Sequence, residues 1–155
     1  KLHSMSNSSK SKYVPRNPEK YKGNPNDIIC RSSWERTFCK WCDLNESIIQ
    51  WASEEMFIPY RDPVAKKVRR YFPDFLIRIQ DSDGLIRTRM IEVKPHKEVV
   101  GPPKNPKRKT KSWMYAVHTY ITNTAKWEAA RDYCSDRGWE FDIVTEYELG
   151  LKKRR

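Results

Sequence analysis

The sequence has no run of about 18 consecutive apolar residues, the length that a helix needs to cross a lipid bilayer. It also shows no secretory signal, and the four residues before Met5 are expected to be a cloning remnant. These absences argue against the membrane-protein classes, and we expect no membrane partner.

Histidines and cysteines are too few and too poorly spaced for a structural zinc site. The chain has three histidines and four cysteines, and Cys39 and Cys42 form its one C-x-x-C pair. No second pair and no suitably placed histidines complete a tetrahedral ligand set. We therefore expect reduced cysteines in the core of a cytosolic protein, and no small-molecule cofactor.

Positive charge is concentrated in three segments of the chain, whose net charge is +11. Residues 1–28 carry a surplus of four basic residues, 99–112 a surplus of five and 151–155 a surplus of four. Elsewhere acidic residues outnumber basic ones, so the excess lies on tails and a loop. Such segments suit a polyanion through counterion release, and solubilising tails are the alternative.

A length of 155 residues fits one domain. We predict a flexible basic arm over residues 1–26, with docking of this arm through Tyr13 and Tyr21 as the alternative. A folded domain is predicted over 27–150, including a basic loop at 99–112, and a basic tail at 151–155. The loop carries five cations, called the basic loop residues below: Lys104, Lys107, Arg108, Lys109 and Lys111.

A β-hairpin is predicted over residues 71–95. Apolar and polar residues alternate in its two arms, and the sequence Asp-Ser-Asp-Gly at 81–84 indicates the turn. A hairpin that is symmetric about Asp83 places Asp74 directly opposite Glu92.

Asp74 and Glu92 would then face each other on one surface of the hairpin. Cross-strand neighbours have Cβ atoms about 5 Å apart, so two carboxylates repel each other unless a cation lies between them. Lys94 shares their face, whereas Ile91 and Val93 point to the opposite side, toward the core. The pattern therefore predicts a metal site on this face.

Upstream residues add further acidic candidates. An S-x-x-E capping box opens a predicted helix over residues 32–43. Its Glu35 is a capping residue in one interpretation and an active-site residue in the other. Residues 48–60 indicate a strand or a bent pair of strands, and either Glu54 or Glu55 is expected to point at the same site.

Two groups of cations are candidates for DNA contact. Residues 61–70 are interpreted as a polar turn, whose Arg69 and Arg70 lie close in sequence to the acidic face. The basic loop residues follow soon after Lys94, so a phosphate bound there would lie near the metal.

The last part of the chain predicts two helices and a strand. The helices are expected over 112–120 and from 123 or 124 to 136, with Gly138 as the stop signal, and the strand over 139–145. A helical crossover between this strand and that of Glu92 favours parallel pairing of the two.

The hairpin residues resemble a known nuclease signature. Pro73-Asp74 followed by Glu92-Val93-Lys94 is similar to the PD-(D/E)XK motif. Further stretches resemble the head completion proteins of T-even-like bacteriophages and, more distantly, TnsA-type transposon endonucleases: 33–35, 53–60, 70–75, 91–95 and 123–130. The resemblance implies an α/β (α+β) fold with a restriction-endonuclease-like core, in which helices flank a mixed β-sheet.

The resemblance also implies roles for individual residues. Glu35, Asp74, Glu92 and Lys94 match the family's catalytic positions. Asp74 and Glu92, the carbonyl of Val93, and Glu35 through a water are the implied ligands of Mg²⁺, for which Mn²⁺ is an expected substitute. Lys94 is implied to position or help deprotonate the attacking water.

The implied function is a metal-dependent phage DNA endonuclease that hydrolyses phosphodiester bonds of the packaged DNA end late in head completion. Double-stranded DNA is the expected partner and the cytoplasm of the infected host the expected location. Contacts with portal, neck or capsid proteins, and incorporation into the virion head, stay open. One alternative is a structural connector or DNA-end-binding protein that cleaves little, and another is a TnsA-like transposon endonuclease. Intact acidic residues favour the phage endonuclease.

Overall fold

A four-stranded mixed β-sheet lies at the centre of the fold in the computed structural model, which describes residues 10–154. Within these residues no helix is both long and apolar enough to span a membrane. In chain order the elements are β1 (Ser11–Tyr13), a 3-10 turn (Pro18–Lys20), β2 (Ile28–Cys30), α1 (Ser33–Leu44), β3 (Ile48–Ser53), β4 (Ile58–Asp62), β5 (Lys67–Tyr71), β6 (Phe75–Gln80), β7 (Ile86–Val93), α2 (His96–Val100), α3 (Lys111–Asp136) and β8 (Glu140–Val144).

The central sheet has the strand order β3-β6-β7-β8. Its first two pairings are antiparallel, and β8 pairs parallel to β7 after the chain returns through α3. Gly138 follows α3 with a φ of +70°, a left-handed conformation that glycine adopts without strain. The mixed sheet with flanking helices and the parallel pair confirm the predicted fold class.

The register of the β6–β7 hairpin is the predicted one. Phe75 pairs with Ile91, and Gln80 pairs with Ile86. The turn between them includes Gly84, whose φ is +85°. Extending this register by one residue beyond the Phe75–Ile91 pair, away from the turn, places Asp74 opposite Glu92.

Alternate residues of β7 face two different cores. Ile91 and Val93 pack with α1 and β3, in a cluster that includes Phe38 and Trp51. Met90 faces the opposite core, with residues of α3 such as Trp127, Ala130 and Cys134. All four cysteines are buried and free, as predicted. Because side chains alternate along a strand, Glu92 is directed to the α3 side.

The N-terminal segment is part of the folded domain from residue 10 onward, although a flexible arm was predicted over 1–26. Tyr13 and Tyr21 are buried, and β1 pairs with β2. The Tyr13 hydroxyl and the backbone N–H groups of Arg16 and Asn17 donate to the carboxylate of Asp43. The buried rings of Tyr13 and Tyr21 and the carboxylate of Asp43 hold this segment on the domain. Such isolated residues give no periodic apolar pattern, so the sequence did not favour a folded segment. Residues 1–9 lie outside the described residues.

Residues 61–70 form most of a second hairpin, so their interpretation as a polar turn was wrong. β4 pairs with β5 from Ile58–Tyr71 to Asp62–Lys67. The turn is closed by the side chain of Asp62, which accepts from the N–H groups of Val64 and Ala65. The strand was missed because four of the five residues of β5 are exposed and three of those are cationic, which conceals the alternation.

The two helices predicted beyond the basic loop are one helix, α3. Asn123 or Thr124 was expected to cap a new helix, but both lie inside α3, where the Thr124 hydroxyl donates to the carbonyls of Tyr120 and Ile121. Thr110 caps the helix instead, by accepting from the N–H of Trp113. The loop predicted at 99–112 is accordingly shorter, because residues 96–100 form α2 and Lys111 lies in α3.

Candidate active site

Asp74 is fixed at the entrance of β6 by the neighbouring strand. Its side chain is buried, and Oδ2 accepts a 2.8 Å hydrogen bond from the N–H of Val93. The carbonyl of Asp74 in turn accepts from the N–H of Glu54 at 3.1 Å. Contacts on both sides of the residue therefore hold the carboxylate in one orientation.

Glu92 lies between a hydroxyl and an ammonium group. The Tyr71 hydroxyl donates to Oε1 at 2.8 Å, and the Lys94 Nζ lies 3.3 Å from Oε2. Glu92 and Lys94 are both buried. Burial, together with the negative charges of Glu92 and Asp74, raises the pKa of Tyr71 well above its ordinary value. Tyr71 is therefore a neutral donor over the whole physiological pH range.

Glu35 combines the two interpretations drawn from the sequence. Its N–H donates to the Oγ of Ser32 at 3.1 Å, which is the N-terminal cap of α1. Its Oε1 accepts from the N–H of Arg31 at 3.3 Å, and the side chain is buried. The helix start therefore sets the position of the Glu35 carboxylate.

Glu54 is a site residue that the sequence left undecided against Glu55. It follows β3 with a φ of +53°, unusual for a residue other than glycine. The Arg31 Nε lies 3.0 and 3.1 Å from its two carboxylate oxygens. Glu55 instead accepts from the hydroxyl of Tyr21 at 2.9 Å. The expectation that one of the two glutamates points at the site is met by Glu54.

Carboxylate oxygens of Glu35, Glu54 and Asp74 all lie within 4.8 Å of one another. Divalent cations bound at about 2.1–2.4 Å hold opposite oxygen ligands about 4–5 Å apart, so this donor set fits Mg²⁺, Mn²⁺ or Ca²⁺. Of the predicted metal ligands, the group brings together Glu35 and Asp74 but does not include Glu92. The remaining predicted ligand residue, Val93, donates its backbone N–H to the carboxylate of Asp74.

An open cleft of about 770 Å³ borders this group of carboxylates, of which Glu54 lines the cleft. Glu54, Glu92 and Lys94 line it, and further cations join them: Arg31, Arg70 and Lys126. The Lys126 Nζ lies 5.8 Å from the ring centres of both Tyr60 and Tyr71. Acidic and cationic groups in one cleft can bind a metal ion and a phosphate side by side.

Of the predicted DNA-contacting residues, one lies in the cleft and the others lie outside it. Arg70 lines the cleft, whereas Arg69 lies 3.6 Å from Asp62 at Nε. The basic loop residues are all exposed, and none of them lines the cleft. The loop is attached to α3 by a 2.7 Å hydrogen bond from the Trp113 Nε1 to the carbonyl of Pro103.

Sequence reasoning did not identify Tyr71, Arg31 or Lys126 as residues of the cleft. Tyr71 lies three positions before Asp74, directly before the Phe-Pro-Asp stretch, and was taken as the start of a hairpin arm. Arg31 could be found from its position immediately before the capping Ser32. Lys126 is one of three Lys or Arg residues on α3 and carries no local signal.

Comparison with known proteins identifies a family and a relative. Residues 45–146 match the family model described as TnsA-like endonuclease N terminal. The head completion nuclease of Enterobacteria phage T4 is 43% identical over 139 residues, which cover 87% of this chain and 89% of the relative. The chain therefore belongs to the TnsA-like endonuclease family and is a relative of that phage nuclease.

Proposed function

We propose that this protein is a Mg²⁺-dependent phage endonuclease that hydrolyses phosphodiester bonds of DNA during head completion. The observation that carries the proposal is the group of Glu35, Glu54 and Asp74 oxygens within 4.8 Å, beside the cleft that holds Lys94. The name of the phage T4 relative supports the nuclease activity and the stage at which it acts.

Three carboxylates provide the hard oxygen ligands that Mg²⁺ or Mn²⁺ prefers. When bound, such an ion polarises the scissile phosphate and acidifies a coordinated water. Asp74 is oriented for this by the Val93 N–H, and Glu54 is held at the cleft by Arg31.

Lys94 orients the reacting groups and stabilises negative charge that develops on the phosphate. Its ammonium lies 3.3 Å from Glu92, which also accepts from Tyr71. Glu92 therefore sets the position of Lys94. A direct contact of Glu92 or of the Val93 carbonyl with the metal stays a prediction.

Double-stranded DNA is the proposed substrate, acted on in the infected host where heads are completed. Arg70 and Lys126 bind phosphates inside the cleft, where Arg31 is engaged by Glu54. The basic loop residues bind phosphates farther along the same DNA. Arg69 contributes less, because it pairs with Asp62. Portal, neck or capsid proteins are proposed as further partners that bring the enzyme to the DNA end.

Plasmid cleavage tests the function. The wild-type protein is expected to nick or cut plasmid DNA with Mg²⁺, and not with EDTA. Asp74→Asn should lose the activity, while Asp132→Asn, which changes an exposed carboxylate on α3, should keep it. Equal cleavage by wild type and Asp74→Asn would refute the assignment. DNA binding without cleavage would instead favour a DNA-end-binding connector.

A further inference from the structure

The β4–β5 hairpin has one buried face and one exposed face. Its buried face packs on α3 through side chains that include Ile58, Tyr60 and Tyr71. Side chains alternate along paired strands, so the neighbours of these residues point the other way. The exposed face begins with Phe57 and Phe72, which stand opposite each other one step beyond the Ile58–Tyr71 pair.

Phe57 and Phe72 present adjacent aromatic rings to solvent. They are 47% and 46% exposed, and their ring centres lie 5.7 Å apart at an interplanar angle of 50°. The guanidinium of Arg70 lies 5.3 Å from the ring centre of Phe57. Adjacent exposed rings in contact with a cation are a feature of binding surfaces, because exposed rings contribute little to the free energy of folding.

The charge around these rings selects a polyanionic occupant. Residues 58–71 carry five cations, all of them exposed: Arg61, Lys66, Lys67, Arg69 and Arg70. By strand alternation Arg61 and Arg70 share the face of the two rings, whereas the others lie at the turn or on the side of Tyr71. The single acid of residues 58–71, Asp62, is buried and lies close to Arg69. Such a surface repels cationic proteins and attracts a phosphate backbone.

The aromatic pair is continuous with the catalytic cleft. Phe72 and Arg70 line that cleft together with Glu92 and Lys94. Phe72 also precedes Asp74 by two residues. A DNA strand that has one phosphate in the cleft therefore places the nucleotide next to that phosphate beside the rings of Phe57 and Phe72.

We infer that Phe57 and Phe72 form a stacking platform for an unpaired base next to the scissile phosphate. The preferred substrate class is then DNA with a single-stranded segment, such as a gap, an overhang or a flap. In a continuous duplex both faces of a base are covered by neighbouring bases, whereas an unpaired base offers its face to an aromatic side chain. The inference rests on the proposed function for the role of the cleft.

Binding to two DNAs in EDTA tests the inference without cleavage. One DNA is a continuous duplex, and the other has the same length with a short central gap that carries 2-aminopurine. The full-length wild type is compared with Phe57→Leu/Phe72→Leu and with Phe57→Tyr/Phe72→Tyr, which keeps the rings. Tyr115→Leu is the matched control, because Tyr115 is 69% exposed on α3 and does not line the catalytic cleft.

The wild type should bind the gapped DNA more tightly and quench its 2-aminopurine. The double leucine variant should lose about fivefold or more in affinity for gapped DNA, which corresponds to one stacked base, and keep its affinity for the duplex. The tyrosine variant and Tyr115→Leu should behave as wild type.

Unchanged binding of gapped DNA by the leucine variant would overturn the inference and assign the exposed face to a protein partner. An equal loss on both DNAs would also overturn it, because the rings would then be a general duplex contact. The plasmid assay is independent of these results. A wild type that prefers gapped DNA but never cleaves would refute the proposed function alone, and one that cleaves without this preference would refute the inference alone.

Discussion

Replacement of Asp43 by asparagine is expected to lower the free energy of unfolding by about 2–4 kcal/mol at neutral pH. The buried carboxylate accepts from the Tyr13 hydroxyl at 2.6 Å and from the N–H groups of Arg16 and Asn17 at 2.8 and 2.9 Å. Asparagine keeps one acceptor oxygen and turns an NH₂ group toward the remaining donors. At least one buried donor then loses its hydrogen bond.

The pH dependence of this effect has a definite sign. Burial raises the pKa of Asp43, but the hydrogen bonds from Tyr13, Arg16 and Asn17 outweigh it and hold the pKa below its ordinary value of 3.8. A carboxyl whose pKa is lower in the folded state stabilises the fold when it is ionised. This stabilisation is complete well above pH 3.8 and is lost as the pH falls through the pKa of the folded state.

Urea denaturation followed by tryptophan fluorescence measures both effects. Wild type and Asp43→Asn are compared from pH 7 down to the lowest pH at which the wild type is folded, with Asp132→Asn as an exposed control. The stability difference should be largest at pH 7 and shrink in acid. A difference below about 0.5 kcal/mol at pH 7, the range of ordinary surface substitutions, or one that is independent of pH, would show that the Asp43 carboxylate does not hold the N-terminal segment in this way.

Three further predictions concern the cleft and the DNA. Millimolar Mg²⁺ should raise the melting temperature of the wild type but not of Asp74→Asn, because the ion binds the folded state alone; scanning fluorimetry measures this. Lys94→Ala and Glu92→Gln should each reduce the cleavage rate on the order of 10²-fold or more, with an unchanged circular dichroism spectrum. Neutralising the basic loop residues should flatten the slope of log K against log salt by up to about 0.9 per lost phosphate contact, measured in EDTA.

The hairpin that carries Asp74 and Glu92 could be predicted from sequence because its information is local. A turn at 81–84 and alternating strands fix the register, and the register alone brings Asp74 opposite Glu92. The cap of α1 is equally local, since Ser32 and Glu35 lie within one turn. Chemistry that depends on neighbours in a hairpin or a helix turn is therefore visible in the sequence.

Other features depend on contacts between distant segments. Glu54 joins the carboxylates because of its left-handed backbone and the Arg31 side chain, and neither leaves a periodic pattern. The docking of Tyr13 depends on Asp43, which lies 30 residues away. Strand β5 was missed because Lys67 and Arg69 occupy the side of the strand that Tyr71 buries, so no alternation of apolar and polar residues marks it.

Glu35, Glu54 and Asp74 are proposed to bind the catalytic metal. Anomalous diffraction from crystals soaked with Mn²⁺ locates that ion, on protein shown to cleave plasmid DNA with Mn²⁺. A single strong peak is expected, with oxygens of these three carboxylates at about 2.0–2.4 Å. A peak elsewhere, or no peak at these residues in an active preparation, would show that these carboxylates do not bind the metal.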